Sequence, residues 1–406
     1  MNKIALKYFL FAALGLLRIL CPQRAAAEEF FYKHQAGDKY RIISTVKEDV
    51  YLDYRLSHKA EILNRIAVEV ASAAGGKGYH KVVFQTSERA AGIGAGRGFQ
   101  WSREYESEFE RDRLGYISID KKYYMPVVRN VPVFSGKDLQ PGEKWSADGH
   151  EMHDFRDSFG ISDPYRIPFT ANYEFLGDRQ WKGKTYPAFS VSYRILDQPP
   201  AARGRIWPTR IIGASDQTVY WDGALGQPAA YEEQFRMVFE LSNGRIVEYR
   251  GSATAEIMES PAMDKTKIAE EINDEIKRLQ IPDASVRVVD EGITISLENI
   301  QFQADTAVML PGERAKLDQI TEILMRYKDR DILISGHTAL AGVAEGRMKL
   351  SVERASVVAD YLISRQVRTP DRIVVRGFGA DKPIADNRTA EGMRKNRRVE
   401  ITILEN

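Results

Sequence analysis

Near Ser260-Pro261 the hydrophobic period of this chain changes, and that change constrains the fold more than any other feature. Upstream, apolar residues recur at every second position: Phe169, Ala171, Tyr173 and Phe175; Phe189, Val191, Tyr193 and Ile195; Phe235, Met237 and Phe239; and, more briefly, Ile117 and Ile119. A period of two places one face of a strand on a core. Turn sequences punctuate these runs, as at Ser135-Gly136-Lys137-Asp138 and Ser242-Asn243-Gly244-Arg245. Only residues 56–73 could pass for a helix, and their Ile and Val content suits a long strand as well. Many strands without intervening helices predict an all-β sandwich or barrel-like domain over residues 28–260.

Downstream the period becomes helical. Residues 264–279 place Ile268, Ile272, Ile276 and Leu279 on one stripe, and 313–328 do the same with Leu317, Ile320, Leu324 and Tyr327. Ser351 is suited to cap a third helix that buries Ala355, Val358 and Leu362. Short apolar runs at 285–289, 292–297, 331–336, 372–377 and 397–404 read as strands. The alternation predicts an α+β domain over 261–406, a βαβαβ type sheet with helices packed on it.

The first 27 residues have a different character. Lys3 and Lys7 precede an apolar stretch, Tyr8 to Leu17, and Ala25-Ala26-Ala27 offers small residues for cleavage before Glu28. This is the pattern of a secretory signal peptide. The stretch is too short for a spanning helix, and Arg18 interrupts it. Cys21, the single cysteine, is a lipidation candidate, although Arg18-Ile19-Leu20 lacks the small residue that usually precedes a lipidated cysteine. A lone cysteine excludes a disulfide framework and a zinc–thiolate centre. Residues 1–27 hold four cations and no acid, so the remainder of a chain of net charge +1 carries −3. A near-neutral chain of this kind excludes broad electrostatic binding to nucleic acid.

Five blocks in the second half occur in a fixed order: Ile300-Gln301-Phe302 before Asp305; Gly336-His337-Thr338; Leu350-Ser351-Val352-Glu353-Arg354-Ala355; Val374-Val375-Arg376-Gly377-Phe378-Gly379; and Asn396-Arg397-Arg398-Val399-Glu400-Ile401. Together they resemble the OmpA-like domain, the peptidoglycan-binding module of outer-membrane protein A and related lipoproteins, over about residues 280–406. The resemblance implies non-catalytic recognition of the diamino acid in the peptidoglycan stem peptide. Such a ligand presents a carboxylate and an ammonium, which one cation and one anion on rigid elements would hold.

By the resemblance the cation is Arg354, near a helix start whose free N–H groups and positive potential suit a carboxylate. The family's anion is the aspartate that ends the Gly-His-Thr-Asp block, and here Ala339 stands in that place. Arg347 stands where the family often has asparagine. Alanine accepts no hydrogen bond, and losing one partner of a charge-assisted pair costs about 2 kcal/mol or more. The implied outcomes are lost wall binding, weak binding through the remaining contacts, or binding to a wall with a different diamino acid through Glu345 or Asp305 from a shifted position. Arg398 and Arg397 are further candidates, with ion pairing or solvation as the competing roles. His337 reads as a packing or turn residue.

Other signals do not hold together. His150-Glu151-Met152-His153 has the second histidine one residue early for a zinc helix, and on a strand the two rings face opposite sides. The glycine-rich 92–98 segment lacks a strand-then-helix setting and reads as a hairpin loop. No nucleophile context appears. The sequence therefore predicts no enzyme, no cofactor and no metal. It predicts an envelope protein in the periplasm, associated with the outer membrane or the cell wall. Its partners are peptidoglycan stem peptide and, for the β domain, another envelope component. An integral outer-membrane barrel with a wall domain and a periplasmic carrier of an apolar ligand are the alternatives. Charge on both strand faces, as at Glu232, Glu233, Arg236 and Glu240, argues against the barrel. An apolar cavity of several hundred Å³ would favour the carrier.

Overall fold

The computed structural model describes residues 28–90, 96–201, 206–259, 263–298, 302, 307 and 309–405. The expected signal segment, Cys21 and Asp305 lie outside them.

The first half is a meander. Its elements are β1 (Lys39–Leu52), β2 (Arg55–Ala74), β3 (Lys77–Ala90), β4 (Phe99–Asp112), β5 (Ile117–Ile119), β6 (Val128–Arg129), β7 (Lys144–His153), the single turn α1 (Arg156–Phe159), β8 (Tyr165–Trp181), β9 (Lys184–Asp197), β10 (Pro208–Asp222), β11 (Gln227–Leu241) and β12 (Ile246–Glu259). Residues 56–73 fall within β2 and are extended throughout. Tight turns with positive φ join the early strands, at Asp53-Tyr54 and at Gly75-Gly76. Such turns match the strand twist and fix the register.

All neighbouring strands are antiparallel, in the order β5-β4-β3-β2-β1-β12-β11-β10-β9-β8-β7-β6, because β1 pairs with both β2 and β12. The two edges, β5 and β6, are consecutive in the chain, so the sheet rolls until they approach. Between them Ser107 Oγ donates to Met125 O at 2.7 Å, Tyr105 Oη to Asp154 Oδ2 at 2.9 Å, and Phe134 N to Leu114 O at 2.8 Å. The result is one rolled sheet, nearer the barrel-like expectation than a sandwich of two sheets. Rings fill much of its interior: Phe134 meets Trp221 edge-on at 4.8 Å, and Trp145 stacks on Tyr173 at 4.9 Å.

The second half contains α2 (Lys265–Arg278), β13 (Ala284–Val289), β14 (Gly292–Glu298), α3 (Pro311–Leu324), β15 (Ile332–Gly336), α4 (Ala344–Ser364), β16 (Ile373–Gly377), α5 (Ala390–Asn396) and β17 (Arg398–Leu404). The strand order is β13-β14-β17-β15-β16, with β15 and β16 parallel and the other pairs antiparallel. One sheet face buries Ile293, Ile295, Ile401 and Ile403 in a cluster with Leu317, Ile320, Val358 and Leu362 of α3 and α4. That cluster draws only on residues from Met263 onward, and the aromatic cluster of the rolled sheet only on the first half.

Ser351 is not a cap. α4 begins at Ala344, so Ser351 sits in its second turn, fully buried against the sheet. The stretch Ala344–Leu350 is polar enough to hide the apolar stripe, yet apart from Gly346 its residues favour helix. The same extension moves Arg354 away from the helix start and the field of the free N–H groups.

The two halves touch at the β16 edge of the second sheet, where Trp101 packs on Leu333, Val374 and Leu404. Phe99 and Gln100 of β4 pair in parallel with Val374 and Val375 of β16. Arg65 of β2 reaches Asp331 at 3.1 Å and the Asp371 carbonyl at 2.9 Å.

Candidate ligand site at the ends of the parallel strands

In sheets with parallel strands, ligands bind in the crevice beyond the carboxyl ends of those strands. Here that crevice lies past Gly336 and Gly377, and α4 crosses directly beneath it. A side chain at Gly336 would place its Cβ 1.9 Å from the Ser351 carbonyl, and one at Gly377 would meet Ser351 Oγ at 2.5 Å. Only glycine permits this approach. Ser351 Oγ fastens the crossing: it accepts from Gly379 N at 2.9 Å and donates to Met348 O at 2.7 Å.

The loop after β15 carries His337, Thr338 and Ala339, all buried. Thr338 N donates to Gly379 O at 2.8 Å, and Leu340 N donates to Asn387 Oδ1 at 3.1 Å. Asn387 is itself held by Asn396, whose Oδ1 accepts from the Ile384 and Ala385 amides at 2.8 and 3.0 Å. Asn396 thus shapes the wall of the crevice. Its lone place in a block of charged residues gives no hint of this in the sequence.

Ala339 presents a methyl group at 5% exposure. Its neighbour Thr338 leaves Oγ1 without a hydrogen-bond partner among the described residues. Arg354 is half-buried in the third turn of α4, with its guanidinium 5.0 Å from the ring centre of Phe302. That stacking contributes to holding the cation. Arg347 folds back to donate to the Gly342 carbonyl, and Glu345 is exposed in the first turn of α4.

Arg398 has a structural setting. Its side chain is 2% exposed, donating to Glu400 Oε1 at 2.6 Å and to the Lys382 carbonyl at 3.0 Å. Arg397 beside it is exposed. Glu400 also meets Arg287 at 2.6 Å and His337 at 3.5 Å. Burial pushes the Glu400 carboxyl up, but the facing His337 and Arg398 outweigh burial and hold it at about 2. Burial lowers His337, whose ring stacks on Phe378 at 5.1 Å. In the first half, His153 pairs with Glu151 at 2.7 Å. Among the described residues no group of His, Cys, Asp and Glu could hold a metal ion, and no helix is long and apolar enough to cross a membrane.

Comparison with known proteins places this crevice in a family. Residues 301–397 match the OmpA family. The chain is 39% identical over 104 residues to the peptidoglycan-binding protein ArfA of Mycobacterium tuberculosis, a match over 26% of this chain and 32% of ArfA. It is 40% identical over 103 residues to outer membrane protein A of Bordetella avium, over 25% of this chain and 53% of that protein. The chain therefore spans between a third and about half of the length of these relatives. Among solved structures, an outer membrane protein of Borrelia burgdorferi is 36% identical over 30% of this chain and 96% of that one, with a TM-score of 0.25. Residues 301–397, which hold Ala339, Arg354 and the ends of β15 and β16, are an OmpA-family domain.

Proposed function

We propose that this chain is a non-catalytic protein of the bacterial cell envelope, and that residues 261–406 form a unit that associates with peptidoglycan. The observation that carries the reading is the crevice beyond β15 and β16 within the family match, with Arg354 oriented on α4. The relative ArfA bears the name of a peptidoglycan-binding protein, which supports the same ligand class. In this reading Arg354 receives a stem-peptide carboxylate. The ammonium meets the methyl group of Ala339 in place of a carboxylate, so affinity is low. Arg398 contributes by holding Glu400 and the Lys382 backbone rather than by touching ligand.

The rolled sheet of residues 28–260 stays in water on this reading. A strand of a membrane barrel turns an apolar row to lipid. On β4 the outward row holds Glu104, Glu106 and Glu108, all exposed, while Tyr105, Ser107 and Phe109 face inward.

The test is sedimentation of the chain lacking residues 1–27 with purified sacculi. Weak, saturable co-sedimentation that Arg354→Ala abolishes is expected. Retention that ignores Arg354→Ala would overturn the assignment of the site, and no retention at any concentration would overturn wall association.

A further inference from the structure

The rolled sheet is not filled throughout. Between β1–β4 on one side and β10–β12 on the other lies a cavity of about 350 Å³. Its wall is mainly aliphatic and aromatic, with Ile42, Ile66, Val68, Val82, Phe84 and Val219 among the lining residues. Ile42 and Ile66 keep partial exposure although they point into the roll, as expected of side chains around an open space. A second cavity of about 350 Å³ adjoins the first and shares Tyr32, Tyr40, Arg111 and Gln227 with it. These volumes lie within the ordinary range of small-molecule sites.

The two ends of this space differ in charge. Along β1 it runs from Tyr40 to Ser44, and along β11 from Gln227 to Glu233. At a rise of about 3.3 Å per residue, the ends are about 13 to 20 Å apart. Lys33, Lys39, Arg111 and one acid, Asp38, line the Tyr40 end, and Glu256, which pairs with Lys182, lines the adjoining cavity. Lys39 also reaches Glu69 at 3.6 Å, and Lys33 donates to the Gly223 carbonyl at 2.8 Å. The Arg111 guanidinium lies 4.7 Å from the ring centre of Tyr32 and 5.5 Å from that of Phe109, and its Nε has no hydrogen-bond partner among the described residues. His80 lines the same end at 2% exposure, with Nδ1 also unpartnered. At the far end Glu233 accepts from Ser215 at 2.6 Å and from Gln217 at 3.3 Å. An apolar space with the Arg111 guanidinium and its unpartnered Nε–H at one end and a carboxyl at the other selects both a shape and a polarity of ligand.

We propose that the rolled sheet binds a single-chain amphiphile with an anionic head, its chain lying among Ile42, Ile66, Val68, Val82 and Phe84 and its head against Arg111. A fatty-acid carboxylate and a lysophospholipid phosphate share this chemistry. The proposal is independent of wall binding, which uses the other half of the chain.

The test is calorimetric titration of the chain lacking residues 1–27 with dodecanoate, dodecyl phosphate and dodecyltrimethylammonium below their micelle concentrations. The anionic probes should bind at least about tenfold more tightly than the cationic one, by the charge at the Tyr40 end. The tighter of the two anions identifies the head group. Arg111→Gln should weaken the anions about tenfold and leave the cationic probe unchanged. Val82→Trp, which fills the space, should abolish all three. Lipid extracted from the unmodified protein purified from envelopes should contain single-chain anions, a readout that needs no variant to fold. Equal affinity for both charges, no effect of Arg111→Gln in a folded protein, or no binding of any probe by the unmodified chain would overturn the proposal.

Discussion

Position 339 is a buried methyl group in a wall of polar atoms, next to a threonine hydroxyl that has no hydrogen-bond partner among the described residues. On the proposed reading, a carboxylate there would meet a ligand ammonium. Ala339→Asp should therefore strengthen binding of a diaminopimelate-type stem peptide by about 1.5–3 kcal/mol, measured by calorimetry. The same substitution should lower the melting temperature of the unliganded protein, because it buries a charge without a fixed partner. Glu400 offers a second test. Its carboxyl lies below its ordinary value of 4.5, at about 2. A depressed carboxyl contributes stability that is fully present above the unfolded value and is lost as pH falls through the folded one. The loss belongs between about pH 4.5 and pH 2 and is on the order of 3 kcal/mol. Glu400→Gln should be less stable at pH 7 and flatter across that window in thermal unfolding. An equally steep acid transition in the variant would show that other carboxylates carry it.

At the scale of the element, α4 joins the loop after β15 to the sheet. Its buried Ser351 ties Gly379 across the crevice. Ser351→Ala removes the acceptor and leaves the Gly379 amide unmet, which should cost about 1–3 kcal/mol. Faster hydrogen exchange at the Gly379 amide, with exchange in β1–β4 unchanged, is the expected signature. The helix also shows where sequence reading stops. Serine beside an apolar stripe reads as an N-cap, because its hydroxyl satisfies free N–H groups there. Inside a helix the same hydroxyl bonds the preceding turn, and Ser351 donates to Met348 O in this way while also accepting from the sheet end. Local pattern carries no information about that second contact.

For the whole molecule, the junction of the two halves rests on buried charge. Asp331 receives Arg65 at 3.1 Å and Arg372 at 2.8 Å, and Arg65 is 3% exposed. Removing one partner leaves a charge buried and uncompensated, at a cost of about 3–5 kcal/mol. Asp331→Ala should therefore loosen the contact between the halves, seen as faster exchange in both β2 and β15. Protection unchanged in β2 would show that the β4–β16 pairing holds the junction alone.

The periods of the chain determined many of its elements by themselves, though neither the first turns of α4 nor α5. Alternation in Phe169–Phe175 and Phe189–Ile195 yields strands because each places one face on a core, and the stripe of Ile268, Ile272 and Ile276 yields α2 for the same reason. The motif blocks likewise located the family match at residues 301–397. Tertiary structure alone decided the rest. β1 pairs with β12 across some two hundred residues, which turns a meander into a roll with a space inside. Arg398 and Arg397 are adjacent arginines, yet one is buried on Glu400 and the other exposed, because neighbouring positions on a strand face opposite sides. Which side is buried depends on what packs there, and that is a property of distant residues.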